Sequence, residues 1–162
     1  MPLLWLRISV ALYGVGLLYA LMALSRRGQA LSRFALPAMT LGMVLQFVSL
    51  VETARLEGHL APATVHDSEA LLAFVLMVFF LAVYARYRTL TPGIFVFPLV
   101  FLLTFAAAIG KEPPQFSSPL LRNGWIVAHI TLIFAGYAAL FVSLAASLLY
   151  LLQERGLKSK QS

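Results

Sequence analysis

Cysteine is absent from this chain of 162 residues. That excludes disulfides, thiolate metal ligands and covalent haem attachment through Cys-x-x-Cys-His. Charge is scarce as well. Only 11% of the residues are Asp, Glu, Lys or Arg, where a soluble domain carries roughly 25%. No acid lies inside a long apolar run, which argues against an ion-coupled transporter. There is no glycine-rich phosphate loop, no His-Glu-x-x-His, no nucleophile motif and no internal repeat. Tryptophan occurs twice, as Trp5 and Trp125.

What remains is apolar. Hydrophobic residues make up 61% of the chain, and the mean hydropathy is +0.90. Runs of about 20 such residues read as membrane spans. Five are expected: 3–24, 34–51, 70–85, 93–109 and 124–152. The predicted fold is therefore all-α, an integral membrane bundle of five transmembrane helices forming one domain over residues 1–162. The first run lacks a basic start and its Arg26-Arg27 pair follows the run, so it reads as a retained span, not a cleaved signal.

Charge sorts by side. Arg26, Arg27, Arg33, Arg86, Arg88, Arg155, Lys158 and Lys160 fall on one side, with Glu154 as its acid. Arg7, Arg55, Lys111 and Arg122 fall on the other, with Glu52, Glu57, Asp67, Glu69 and Glu112. The positive-inside rule predicts the first side to be cytoplasmic, the N-terminus outside and the C-terminus inside. A multi-pass protein of the inner (plasma) membrane follows. The net charge of +6 lies in short loops and not on one basic face, so nucleic acid is not expected as a partner.

The sharpest chemical feature is His129, alone in the last apolar run. A histidine at membrane depth is costly and needs a partner, a cavity or a ligand. It is predicted to lie about 9 Å along the helix from an end capped by Asn123. At 100° per residue it shares a stripe with Trp125, Gly136, Ser143 and Ser147, and that stripe is predicted to face the bundle. A similar small-residue stripe, Ser9, Gly16, Ala20 and Ala23, reads as helix packing. Neutral imidazole is a metal ligand and an axial ligand to haem iron; the alternative is a bond to a neighbouring helix's hydroxyl or carbonyl.

Other candidates lie around it. His59, in the outer loop, reads as solvated. His66 adjoins Asp67-Ser68-Glu69 at a helix start, where capping and helix-dipole compensation by the acids are the favoured explanation. Arg7 is expected to snorkel; Arg122 and Lys111 are better placed for an anionic ligand group such as a haem propionate. Trp5, Trp125 and Tyr137 suit an interfacial belt, packing, or a porphyrin face.

One pattern goes further. Trp125-x-x-x-His129, then Gly136-Tyr137-Ala138, Leu149-Tyr150-Leu151 and Gln153-Glu154-x-x-Leu157-Lys158, resembles the cytochrome c assembly superfamily, the haem-handling membrane proteins of the CcsA, CcmC and HemX kinds. The shorter HemX-like or CcsA-like branch is the nearer likeness, including the acidic turn His66-Asp67-Ser68-Glu69-Ala70. The resemblance implies haem as cofactor and His129 as its axial ligand; Trp125, His66 (as a second axial ligand) and Arg122 are further candidate contacts from their own positions and chemistry. It implies a non-enzymatic role, presenting haem on the outer side to apocytochrome c, together with other assembly subunits. The alternatives are a HemX-like regulator or scaffold in tetrapyrrole biosynthesis with a structural His129 and, less favoured, a small transporter component.

The chain departs from the family in three places. It has no tryptophan-rich external motif ending in Trp-Asp. It stops where longer members continue, as expected of a fragment, a split protein or a short form. It also carries Gln46 where the shorter branch often has a histidine.

Overall fold

A computed structural model describes residues 1–25, 34–59, 61–110 and 123–158. It is all-α, with five helices: α1 (Pro2–Ser25), α2 (Leu36–Glu57), α3 (Val65–Tyr87), α4 (Gly93–Ile109) and α5 (Gly124–Lys158). Four of these, all but α4, are long and apolar enough to cross a membrane. At 17 residues, α4 reaches about 25 Å, short of a hydrocarbon core of about 30 Å.

Local chemistry sets the helix ends. Thr64 accepts from the Asp67 N–H at 3.1 Å, and the Asp67 carboxylate accepts from the Thr64 N–H at 2.9 Å. This capping box starts α3 at Val65, well before its apolar run begins. The Asn123 side chain accepts from the Trp125 N–H at 3.0 Å and caps α5. Pro37 sits in the first turn of α2, where the missing N–H costs nothing. Gly58 ends α2 with φ of 70°, a left-handed turn that favours glycine.

Helices α1, α2, α3 and α4 form a bundle, and α5 lies against its α3 side. The α1/α2, α3/α4 and α1/α4 contacts are extensive, whereas α2 and α3 touch sparsely. Bulk apolar burial does little to hold helices together in lipid, so close packing and interhelical hydrogen bonds matter more. Ser9, Gly16 and Ala20 of α1 are all buried. Ser9 donates to the Gly42 carbonyl of α2, and the Tyr13 ring lies on Gly42, where a Cβ would come within 2.7 Å of it. Further down the bundle, Phe80 and Phe97 meet edge to face, with centroids 5.0 Å apart.

Gln46 is fully buried at the centre of a polar network. It accepts from the Tyr13 hydroxyl at 2.6 Å and donates to the Ala70 carbonyl at 2.9 Å. Thr104 Oγ1 lies 3.4 Å from the same amide nitrogen. One side chain thus links α1, α2, α3 and α4. Gln46, expected to depart from the resembled pattern, serves tertiary bonding here.

The fifth helix corrects an expectation. Trp125, His129, Gly136, Ser143 and Ser147 do share a face, but all are exposed, Trp125 by 79%. The packed face consists of Ala138, Val142 and Ala145. Counting 100° per residue, the two stripes lie about half a turn apart. Both contain small residues, so periodicity groups each stripe without telling which one packs. The Ala138 stripe continues toward the N-terminus of α5 through Val127 and Thr131, both half-buried.

Candidate haem-contact face and the neighbouring cavity

The charge sorting is visible in space. The N-terminus of α1, the C-termini of α2 and α4, and the N-termini of α3 and α5 meet at one end of the bundle, with Glu52, Glu57, Asp67 and Glu69. The Met1 ammonium pairs there with Glu52, which ties the start of α1 to the last turns of α2. Arg86, Arg88, Arg155 and Lys158 belong to the opposite, basic end.

Beneath the 58–64 connection at the acidic end lies a cavity of about 250 Å³, lined by all five helices. Its floor is apolar, and its mouth carries Glu57, His59, Thr64, His66 and Asp67.

The two histidines at this end differ in how they are held. His59 is only 7% exposed, contrary to its expected solvation. Its Nδ1 donates to the Ala61 carbonyl at 2.9 Å, and Nε2 lies 3.5 Å from the Glu57 carboxylate. Both ring nitrogens are directed at protein oxygens, so His59 braces the connection. A charged neighbour two residues away can turn a loop histidine inward, and the sequence offered that signal in Glu57.

His66 is half-buried, with Nδ1 at 3.2 Å from Glu69 Oε2. A carboxylate on one ring nitrogen fixes the ring and leaves the other nitrogen for a ligand. The ring covers Gly110 at the end of α4, where a Cβ would collide with it. Asp67 takes the capping role, with Thr64 as its partner.

His129 and Trp125 lie one turn apart on the exposed side of α5, near its N-terminus. The cavity lies on the other side of the same helix, at Val127 and Thr131. His129 and His66 therefore do not converge on a single site. Arg122 and Lys111 fall outside the described residues, and no cluster of three metal-ligating side chains forms among the described residues.

Comparison with known proteins decides the family. The signature described as "Cytochrome C assembly protein" matches residues 63–162, more than half of the chain. The chain belongs to the cytochrome c assembly protein family. Its long apolar helices make it a multi-pass membrane protein of this family. It is 28% identical over 121 residues to "Cytochrome c biogenesis protein CcsA" of Chlorella vulgaris, which covers 72% of this chain and 36% of that protein. It is 23% identical over 158 residues to "Protein HemX" of Brevibacillus brevis, which covers 95% of this chain and 57% of that protein. The chain thus spans about a third of the first relative and somewhat over half of the second. No solved structure matches.

Proposed function

We propose that the protein holds haem at the outer membrane face for cytochrome c assembly, with His129 as an axial ligand and Trp125 against the porphyrin. The acidic end is the outer end in this reading, as the charge bias between the two sides suggests. The observation that carries the proposal is the pairing of His129 and Trp125 at i, i+4 on an open helix face. Among the described residues neither ring is packed into the bundle. A flat macrocycle set against that face would meet a nitrogen ligand and an aromatic plane together.

One helix face covers one side of a macrocycle. The opposite side would come from another surface, from an assembly partner or from the apocytochrome itself. The protein's part is to bind, orient and shield the cofactor; the redox and ligand-exchange chemistry is supplied by haem itself. His66 lies across α5 from this face, so the proposal rests on His129 and Trp125 alone.

The test is haem titration of the full chain in lipid nanodiscs, followed by its Soret band. His129→Ala should shift the band and weaken binding by about tenfold or more, equivalent to about 1.4 kcal/mol. His66→Ala should leave both unchanged. An unaltered Soret band in His129→Ala would sink the assignment.

A further inference from the structure

Helix α1 carries a single charged side chain, Arg7, in its 24 residues. Its two faces differ in surroundings. Leu6, Ser9, Tyr13 and Ala20 are buried against the bundle, whereas Leu4, Arg7, Ile8, Ala11, Val15 and Leu18 recur at helical spacing on the exposed face. Arg7 thus stands in the lipid-facing stripe. Charged residues of membrane spans usually point the other way, into the bundle or a cavity.

Its depth decides what it can reach. The apolar span of α1 runs from Pro2 to Met22, about 31 Å at 1.5 Å per residue, which matches a hydrocarbon core of about 30 Å. Arg7 follows Pro2 by five residues, so its backbone lies about 7.5 Å inside the hydrocarbon edge. Side chains on a helix lean toward its N-terminus, and for Arg7 that is the nearer membrane face. The aliphatic stem stays in hydrocarbon, and the guanidinium rises to the level of the lipid phosphates.

A shallow groove accompanies the arginine, with Leu4, Ile8 and Ala11 among its lining residues. Ala11 lies one turn deeper than Arg7 and contributes only a methyl, so the groove stays open toward the bilayer centre. A cation at the top and an apolar trough below suit a molecule with an anion and a hydrocarbon chain in the same order. The planar fork of arginine pairs two oxygens of a phosphate at once. The lipid-facing stripe of α2 offers the contrast: Leu41, Val44 and Val48 are exposed and uncharged.

We propose that this face of α1 holds a phospholipid of the adjacent leaflet, its phosphate diester on Arg7 and an acyl chain over Ile8 and Ala11. Free phosphate shares the oxyanion chemistry, but a lipid alone also fills the apolar trough. The site lies on α1 and is independent of the haem-contact face on α5.

The experiment is photolabelling of the full, haem-free chain in dodecyl maltoside micelles, which contain no phosphate. Phosphatidylglycerol and diacylglycerol probes, each with a diazirine in one acyl chain, are compared by mass spectrometry of the products. The ratio of phospholipid to diacylglycerol label at Ile8 and Ala11 should exceed that at Val44 and Val48 by about fivefold. A phosphatidylethanolamine probe should behave alike, since it carries the same diester. Arg7→Leu should bring the two ratios together, and Arg7→Lys, which keeps the charge and loses the fork, should retain part of the difference. A thermal melt of each variant checks folding; should Arg7→Leu not fold, Arg7→Gln serves in its place. Glu112 lies outside the described residues, and Glu112→Gln, which tests it as a rival partner for the guanidinium, should leave the ratio unchanged. Four results would each overturn the proposal: equal ratios on α1 and α2, as for ordinary lipid contact; an undiminished ratio in folded Arg7→Leu; loss of the difference on adding inorganic phosphate; or a rise in Glu112→Gln. The Soret titration of His129→Ala is read separately, so the two proposals fail independently.

Discussion

The Tyr13 hydroxyl donates to the Gln46 side-chain oxygen at 2.6 Å, in the interior of the bundle. The other end of the Gln46 amide is held by the Ala70 carbonyl, so its orientation is fixed from both sides. Single interhelical hydrogen bonds in membranes average about 0.6 kcal/mol and reach about 1.7 kcal/mol. Tyr13→Phe should cost an amount in that range, measured by reversible unfolding in mixed micelles. Gln46→Leu should cost more, since it leaves Tyr13 without its acceptor and removes two further contacts. Equal costs for the two variants would show that α3 and α4 draw nothing from the network.

Two glycines predict opposite outcomes for one substitution. Gly42 faces the Tyr13 ring, and a methyl there forces the ring from α2. Gly42→Ala should destabilise the bundle by about 1–3 kcal/mol, the usual range for overpacking. Gly136 meets nothing within 4 Å, so Gly136→Ala should be neutral or stabilise α5 by up to about 1 kcal/mol through helix propensity. The same unfolding assay ranks them, and a reversed order would contradict the packing of α1 on α2.

The capping box makes a local prediction. Thr64→Ala removes the acceptor for the Asp67 N–H and should cost about 1 kcal/mol. Amide exchange should quicken at the first turn of α3, while α4 and α5 keep their protection. Uniform acceleration along the chain would mean that the cap supports the whole bundle.

Gly110→Ala should displace the His66 ring and break its contact with Glu69. Histidine side-chain NMR should then show a shift at His66 and none at His59, which is anchored by Glu57 and Ala61. A shift at both rings would show that the 58–64 connection moves with His66.

The sequence foretold the helical architecture well because long apolar runs and charge clusters are strong, additive signals. The Asn123 cap and the Ser9–Gly16–Ala20 packing stripe were legible for the same reason: each needs only local chemistry or period. The inward face of α5 was not legible. Its two stripes, one through His129 and one through Ala138, have equally good helical spacing, and tertiary contact with α3 decides between them. Gln46 could have been suspected from its place in an apolar run at a depth matched by Tyr13 and Thr104. For His59 the sequence offered only Glu57 two residues before it, and the Ala61 carbonyl that holds the other ring nitrogen follows from the loop's fold.

The opposed stripes of α5 bear on how variation in this protein is to be interpreted. Substitutions at Ala138, Val142 and Ala145 should lower the amount of protein in the membrane, and compensating changes should arise on α3. Substitutions at Trp125 and His129 should leave abundance intact and be rescued, where rescue is possible, by changes in a different polypeptide. A genetic screen that scores abundance and cytochrome maturation separately would therefore sort the residues of a single helix into two non-overlapping classes, alternating every half turn.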